Sequence, residues 1–206
     1  MSFFGYKKQV LEYVQKGYAQ GLMAGTSGNL STLSADGKVV ITPSGVDYME
    51  MTVDDVMVIE LDGTVVEGAR RPSSEWPMHA QIYKHIPEVR SIVHTHSPYA
   101  TAFAVLNRAI PLVLVEMVYF LLGEVRVAPV ALQGTPDVGV GVVEALEGRG
   151  ACLMQNHGAV SIGKDLAQAY LRAEYTEDAA KICHMAMTIG TPTEIPKEMV
   201  QQMLGR

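Results

Sequence analysis

The stretch Ser91-Ile92-Val93-His94-Thr95-His96-Ser97-Pro98 leaves the backbone little choice. β-favouring residues lead into two histidines one residue apart, and a Ser-Pro pair ends the run because proline cannot donate to a strand ladder. Side chains alternate along a strand, so His94 and His96 point the same way. Two adjacent imidazoles cost hydration and repel once protonated. As neutral rings they are strong ligands for zinc and similar divalent ions. A solvated or hydrogen-bonded pair at a strand end is the plainer alternative, and the His-x-His pattern by itself separates the two only weakly.

The chain around that strand has ample apolar material. Of its 206 residues 48% are hydrophobic and 18% charged, enough for a substantial core, with so few charges that surface buried against other copies is expected. A net charge of −6 excludes nucleic-acid binding by bulk attraction but leaves room for a local anion pocket. Cys152 and Cys183 are the only cysteines, too few for a disulfide framework, and read as buried thiols in a reducing compartment. Met1 to Lys8 lacks the long apolar stretch of a secretory signal. The longest apolar stretch, Ile110 to Gly123, contains Pro111 and Glu116 and is too short to span a bilayer. A soluble, cytoplasmic protein without membrane or nucleic-acid partners is expected.

The spacing predicts a helix over 7–23, with Val10, Leu11, Val14, Tyr18 and Leu22 on one stripe. Hairpins follow across Ala35-Asp36-Gly37 and across Asp62-Gly63, with a capping box at Thr52-Val53-Asp54-Asp55 between them. Ser74 is the candidate N-cap of a helix ending near His85, with Pro77 in its first turn. Further helices are expected over 99–106, from Thr135-Pro136 to Gly148, and from a cap at Asp165 to about Thr188. Strands are expected over 151–155 and 159–162 around Asn156-His157-Gly158, while Pro111 to Leu122 is ambiguous between strand and helix. Two early hairpins and later helices give α+β order, and no linker or repeat divides residues 1–206, so one domain is expected.

A catalytic zinc takes three protein ligands and keeps an open position. His157, held in a sharp turn, is the best third histidine, and Glu75 in a first helical turn is the best carboxylate. Each has a plain alternative, a hydrogen-bonded turn histidine and a glutamate complementing the helix dipole. His79, four residues after Glu75, is expected to pack or hydrogen-bond, and His85 and His184 to be structural or surface residues. Gly28-Asn29, Ser44-Gly45 and Ser73-Ser74 are three small-residue loops able to close on one phosphate through N–H groups and hydroxyls, although such turns are common.

Taken in order, Thr26-Ser27-Gly28-Asn29-Leu30-Ser31, Ile41-Thr42-Pro43-Ser44-Gly45, Pro72-Ser73-Ser74-Glu75-Trp76, Val93-His94-Thr95-His96-Ser97 and Gln155-Asn156-His157-Gly158 resemble the class II aldolase/adducin family, nearest its L-fuculose-1-phosphate aldolase-type members. The resemblance covers roughly residues 5–190. It implies a three-layer α/β fold with a central, mostly antiparallel sheet flanked by helices. It also implies a metal site of Glu75, His94, His96 and His157, with Glu75 doubling as acid/base. The phosphate loops would be Gly28, Asn29, Ser44, Gly45, Ser73 and Ser74, and the assembly a homotetramer with active sites near subunit boundaries. Zn2+, or Mn2+ or Co2+ in its place, would serve an aldolase that cleaves a ketose 1-phosphate to dihydroxyacetone phosphate and an aldehyde. Dehydratase, decarboxylase and 4-epimerase chemistry share the scaffold, and a silent adducin-like binding domain is a further alternative. A glutamate at position 75 favours the aldolases over the epimerases, which resemble it with aspartate there. Where the fuculose-type enzymes carry a tyrosine, within the segment matching Leu112 to Glu116, this chain has Val115; Glu116 or Tyr119 is the candidate second acid/base.

Overall fold

In a computed structural model that describes residues 2–205, the chain builds one eight-stranded sheet with helices on both faces. Its elements are α1 (Phe4–Ala19), β1 (Asn29–Leu33), β2 (Val39–Ile41), β3 (Met57–Ile59), β4 (Val65–Glu67), α2 (Trp76–His85), β5 (Ser91–Thr95), α3 (Pro98–Val105), β6 (Arg126–Ala128), α4 (Pro136–Leu146), β7 (Ala151–Met154), β8 (Gly158–Gly163), α5 (Leu166–Ile189) and α6 (Lys197–Met203). The strand order is β4-β3-β2-β1-β5-β8-β7-β6; β6 runs parallel to β7 and the other described pairings are antiparallel.

Strand periodicity sorts the core into two layers. Val39, Ile41, Met57, Ile59, Ile92, Cys152, Val160 and Ile162 face α2 and α4, where they meet Met78, Ile82, Val138, Val142 and Leu146. Their neighbours Leu30, Val40, Val58 and Val93 face α1 and α5 on the other side. Ala151, Leu153 and Ala159 pack on that side against Phe103 of α3 and Ala179 and Ala180 of α5. With apolar residues on both faces, these strands read as continuous runs rather than alternating ones. Ile82, fully buried between α2 and the sheet, carries about 2–5 kcal/mol against truncation to alanine.

The expected elements are largely in place, with informative differences. The first helix spans Phe4–Ala19 and Gly21, at φ +75°, ends it, so Leu22 and Met23 are core residues of the following turn. The capping box at Thr52 and Asp55 forms, but over a single 3₁₀ turn. The Pro111 to Leu122 stretch is neither strand nor regular helix: Ile110 bridges Val125, and a π-helical turn covers Met117–Leu121. β6 has no counterpart in the sequence reading; three residues between Gly123 and Pro129 are too few to show a period. Among the described residues no helix is long and apolar enough to cross a membrane.

Candidate active site

Among its buried residues the sheet face toward α2 is apolar except where β1 and β5 run together, and there it carries Asn29, Ser31 and His94, with Asn29 opposite His94. His94 is fully buried, and its Nδ1 donates to the carbonyl of Ala159 on β8 at 2.9 Å. In the neutral ring that bond fixes the tautomer and leaves Nε2 as a lone pair directed at the cluster. His96 lies just past the end of β5, pinned by its own N–H to the carbonyl of Leu22 at 3.1 Å. His157 sits in the β7–β8 turn, its N–H on Met154 O at 3.0 Å and Asn156 before it at φ +59°. Gly158 completes the turn where a Cβ would collide with the Thr95 carbonyl, so β8 can lie close against β5.

Glu75 occupies the N-cap position of α2, and its N–H donates to Ser73 Oγ at 3.3 Å. The helix therefore starts one residue later than expected, and Ser73, not Ser74, provides the local hydroxyl. Glu75 Oε2 stands 3.0 Å from His94 Nε2, and Glu75 Oε1 stands 3.2 Å from His157 Nε2. His96 Nε2 is 3.0 Å from His94 Nε2. One donor atom from each of these four residues lies within 4.8 Å of the others. Glu75 Oε1 and His157 Nε2 are buried without an aligned hydrogen-bond partner among the described residues, despite their proximity.

This arrangement fits a divalent cation. Ligand bonds of about 2.0–2.1 Å around a tetrahedral ion would put neighbouring donors about 3.4 Å apart, and the closest separations here are 3.0–3.2 Å. Crowded lone pairs repel unless a positive charge lies between them. Protonation answers the need only in part: burial opposes a charge on His94, yet Glu75 beside its Nε2 raises that one ring, and the other two histidines go the opposite way. Burial, then the neighbouring His94 and His157, pushes His96 down to about 4. Burial and His94 likewise lower His157. Burial works to raise Glu75, yet the charges of His94 and His157 and the Asn29 hydrogen bond hold its carboxyl well below the usual range, so it stays anionic.

Beside the cluster opens a cavity of about 250 Å³ lined by Thr26, Ser27, Gly28, Asn29, Pro43, Ser44, Gly45, Ser73, Ser74, Glu75, His96 and Gln133. All six residues expected in phosphate loops are on its wall. Gly28 and Gly45 take φ +91° and +69°, and a Cβ on Gly28 would stand 2.9 Å from His94 O. The Ser44 and Ser73 N–H groups are spent on Arg71 O and Thr42 O, so these residues offer an anion their hydroxyls. Among the described residues no lysine or arginine lines the cavity, which leaves hydroxyls, amides, the start of α2 and a bound cation to balance an anion there.

Asn29 does more than the loop reading assigned. Its side chain donates to Glu75 Oε2 at 2.7 Å and contacts His79 Nε2 at 2.6 Å. Tyr48 was not singled out by the sequence. It is 2% exposed and donates to Gly28 O at 2.6 Å, tying down the first loop. A tyrosine three residues past a turn glycine carries no periodic signal. Gln133 was missed for the same reason. Glu116 is exposed at the start of the π turn, Tyr119 is 49% exposed on it, and neither lines the cavity. His79 is buried and hydrogen-bonded as expected, and His85 and His184 are exposed.

Comparison with known proteins agrees with this geometry. The family model described as Class II Aldolase and Adducin N-terminal domain matches residues 8–184. A 5-deoxy-D-ribulose 1-phosphate aldolase of Bacillus thuringiensis is 35% identical over 198 residues, covering 96% of this chain and 92% of that protein. An L-ribulose-5-phosphate 4-epimerase of Salmonella paratyphi C is 35% identical over 196 residues, covering 89% and 86%. A solved L-fuculose 1-phosphate aldolase superposes with a TM-score of 0.92 at 36% identity, covering 98% of this chain and 95% of that one. With the motifs, the fold and the match over residues 8–184 in agreement, the chain belongs to the class II aldolase and adducin family.

Proposed function

We propose that this chain is a divalent-metal-dependent lyase that cleaves a ketose 1-phosphate into dihydroxyacetone phosphate and an aldehyde. One observation carries the reading: the four-donor cluster contributes Glu75 and His96 to the wall of an anion-sized cavity otherwise walled mainly by the three small-residue loops. Relatives named as a 5-deoxy-D-ribulose 1-phosphate aldolase and an L-fuculose 1-phosphate aldolase support it. Glu75, His94, His96 and His157 would hold the metal, zinc being our choice over manganese or cobalt on the three-histidine donor set. When bound, the cation supplies positive charge against the negative charge that develops on substrate oxygens.

The chain's own residues supply the remaining steps. Ser44, Ser73, Ser74 and the turns at Gly28-Asn29 and Gly45 hold the phosphate, so the reacting carbons are positioned by binding made at a distance. Cleavage needs one group to take the proton from the hydroxyl on the departing carbon and another to return a proton to the carbon left behind. Glu75, with Oε1 unpartnered, performs the second transfer. Glu116 or Tyr119 performs the first; being exposed and off the cavity wall, it is presented by a neighbouring copy in a homotetramer. One domain, a cytoplasmic setting and small-molecule partners complete the proposal.

A second reading, 4-epimerisation of a ketose 5-phosphate, draws on the epimerase relative. Incubating zinc-loaded protein with a panel of ketose 1-phosphates and 5-phosphates and following products by NMR decides between them. Dihydroxyacetone phosphate with a free aldehyde supports the lyase; an epimeric pentulose phosphate alone refutes it. Glu75→Gln is expected to keep phosphate binding and lose at least about a hundredfold in kcat, the lower range for a lost acid/base.

A further inference from the structure

Beneath Glu75 runs a buried chain of polar side chains that, Asn29 aside, takes no part in the proposed steps. Glu75, His79 and Tyr83 lie four residues apart along the start and one face of α2, and Asn29 and Ser31 lie two apart on the facing side of β1. Four helical residues rise about 6.0 Å and two strand residues about 6.6–6.8 Å, so the two sets interleave without losing step. The contacts alternate between them. Asn29 Nδ2 to Glu75 Oε2 is 2.7 Å, Asn29 Oδ1 to His79 Nε2 is 2.6 Å, His79 Nδ1 to Ser31 Oγ is 2.6 Å, and Ser31 Oγ to Tyr83 OH is 2.7 Å. Asn29, Ser31, His79 and Tyr83 are all at most 6% exposed.

The direction of every bond follows from the carboxylate. Glu75 as an anion only accepts, so the Asn29 amide nitrogen must face it and the amide oxygen must face His79. His79 then carries its proton on Nε2, which donates to Asn29 Oδ1, and its bare Nδ1 accepts from Ser31. Ser31 has a single hydrogen, now spent, so it accepts from Tyr83. A protonated His79 would break this sequence, because both ring nitrogens would then donate, and complete burial disfavours the charged ring.

We propose that His79 is a positioning residue: with Ser31 and Tyr83 it locks the Asn29 amide so that one orientation of the Glu75 carboxylate is held toward the reacting centre. The proposal rests on the reading of Glu75 as proton carrier, but its tautomer prediction does not require turnover. In protein with 15N-labelled histidine, two-bond proton–nitrogen spectra near neutral pH should show His79 protonated at Nε2 with Nδ1 bare, in zinc-loaded and chelator-treated samples alike. The His79→Phe variant assigns the signal by its loss. An Nδ1-protonated ring overturns the chain.

The kinetic arm uses a coupled cycle. His79→Phe keeps the ring volume and removes both nitrogens; kcat should fall tenfold or more, with KM within threefold and metal content retained. Tyr83→Phe should move kcat the same way by twofold to fivefold. In a Glu75→Gln background neither substitution should lower kcat further. Equal losses in both backgrounds, or a KM effect with kcat preserved, overturn the positioning role. Should His79→Phe fail to fold, Tyr83→Phe and Ser31→Ala run the same cycle. If the wild-type protein turns over none of the sugar phosphates, the function reading falls, while the ring-nitrogen result still decides the chain.

Discussion

Tyr48→Phe isolates one hydroxyl. Tyr48 is 2% exposed and donates to Gly28 O at 2.6 Å, with Thr26 O and Ser27 O each 3.3 Å away. Burial first, then the charge of Glu75, raises its phenol far above the ordinary value, so it remains a donor at any working pH. Phenylalanine keeps the ring and its packing on Tyr18, so the loss is confined to carbonyls left without their donor in a partly buried turn. Stranding a buried acceptor costs about 1–3 kcal/mol. For a chain of this length that corresponds to a Tm about 3–10 °C lower. The same loop is part of the proposed phosphate cradle, so KM for the cleaved sugar phosphate should rise about tenfold, worth about 1.4 kcal/mol, while kcat stays within about twofold. Differential scanning calorimetry and initial rates on zinc-loaded protein measure both. An unchanged Tm with unchanged KM would refute the stapling role. A collapse of kcat at constant KM would instead put the hydroxyl on the reaction itself.

Other outcomes follow from the same geometry. Gly158→Ala forces a Cβ into the Thr95 carbonyl and against His94 Cε1, 3.3 Å away, so β5 and β8 must part. It should cost about 1–3 kcal/mol by denaturant melts and weaken zinc binding at least tenfold by competition with a chromophoric chelator; native affinity would contradict the packing argument. Stripping the metal should abolish turnover, and restoring zinc at 100 times its Kd should add about 2.7 kcal/mol of stability, read as a Tm gain; full activity after verified metal removal would sink the lyase reading. Asp55, hydrogen-bonded by Arg70 and by Thr52, sits near pKa 2 rather than 3.8. A depressed folded pKa gives stability that is present above 3.8 and lost as pH falls toward 2, so Asp55→Asn should flatten the acid limb of the melting profile over that window; an identical slope would contradict it.

How much of this was legible in the sequence depends on how local the signal is. His94 and His96 declared a common direction because strand side chains alternate, and the structure keeps them together. The joining of Glu75 and His157 to them came from motif order, since nothing in the spacing of residues 75, 94 and 157 dictates contact. Asn29, read from the sequence as part of a phosphate loop, lines the cavity, but its bonds to Glu75 and His79 stayed hidden, because they span 46 and 50 residues, beyond any local pattern. β6 and the π turn at Met117–Leu121 escaped because pairing partners and one mis-stepped turn in an apolar run leave no period to read. Glu75 rather than Ser74 at the N-cap of α2 is a shift of one residue, the ordinary uncertainty of helix ends.

The position of β5 within the sheet has a kinetic meaning. It is hydrogen-bonded along its length to β1 on one side and β8 on the other, with further strands beyond both. Amides in such a strand exchange with solvent chiefly through global opening, not through fraying from an edge. The lifetime of the histidine geometry is therefore tied to the lifetime of the fold. For His94, on that central strand, release from its position without opening of the sheet is not expected.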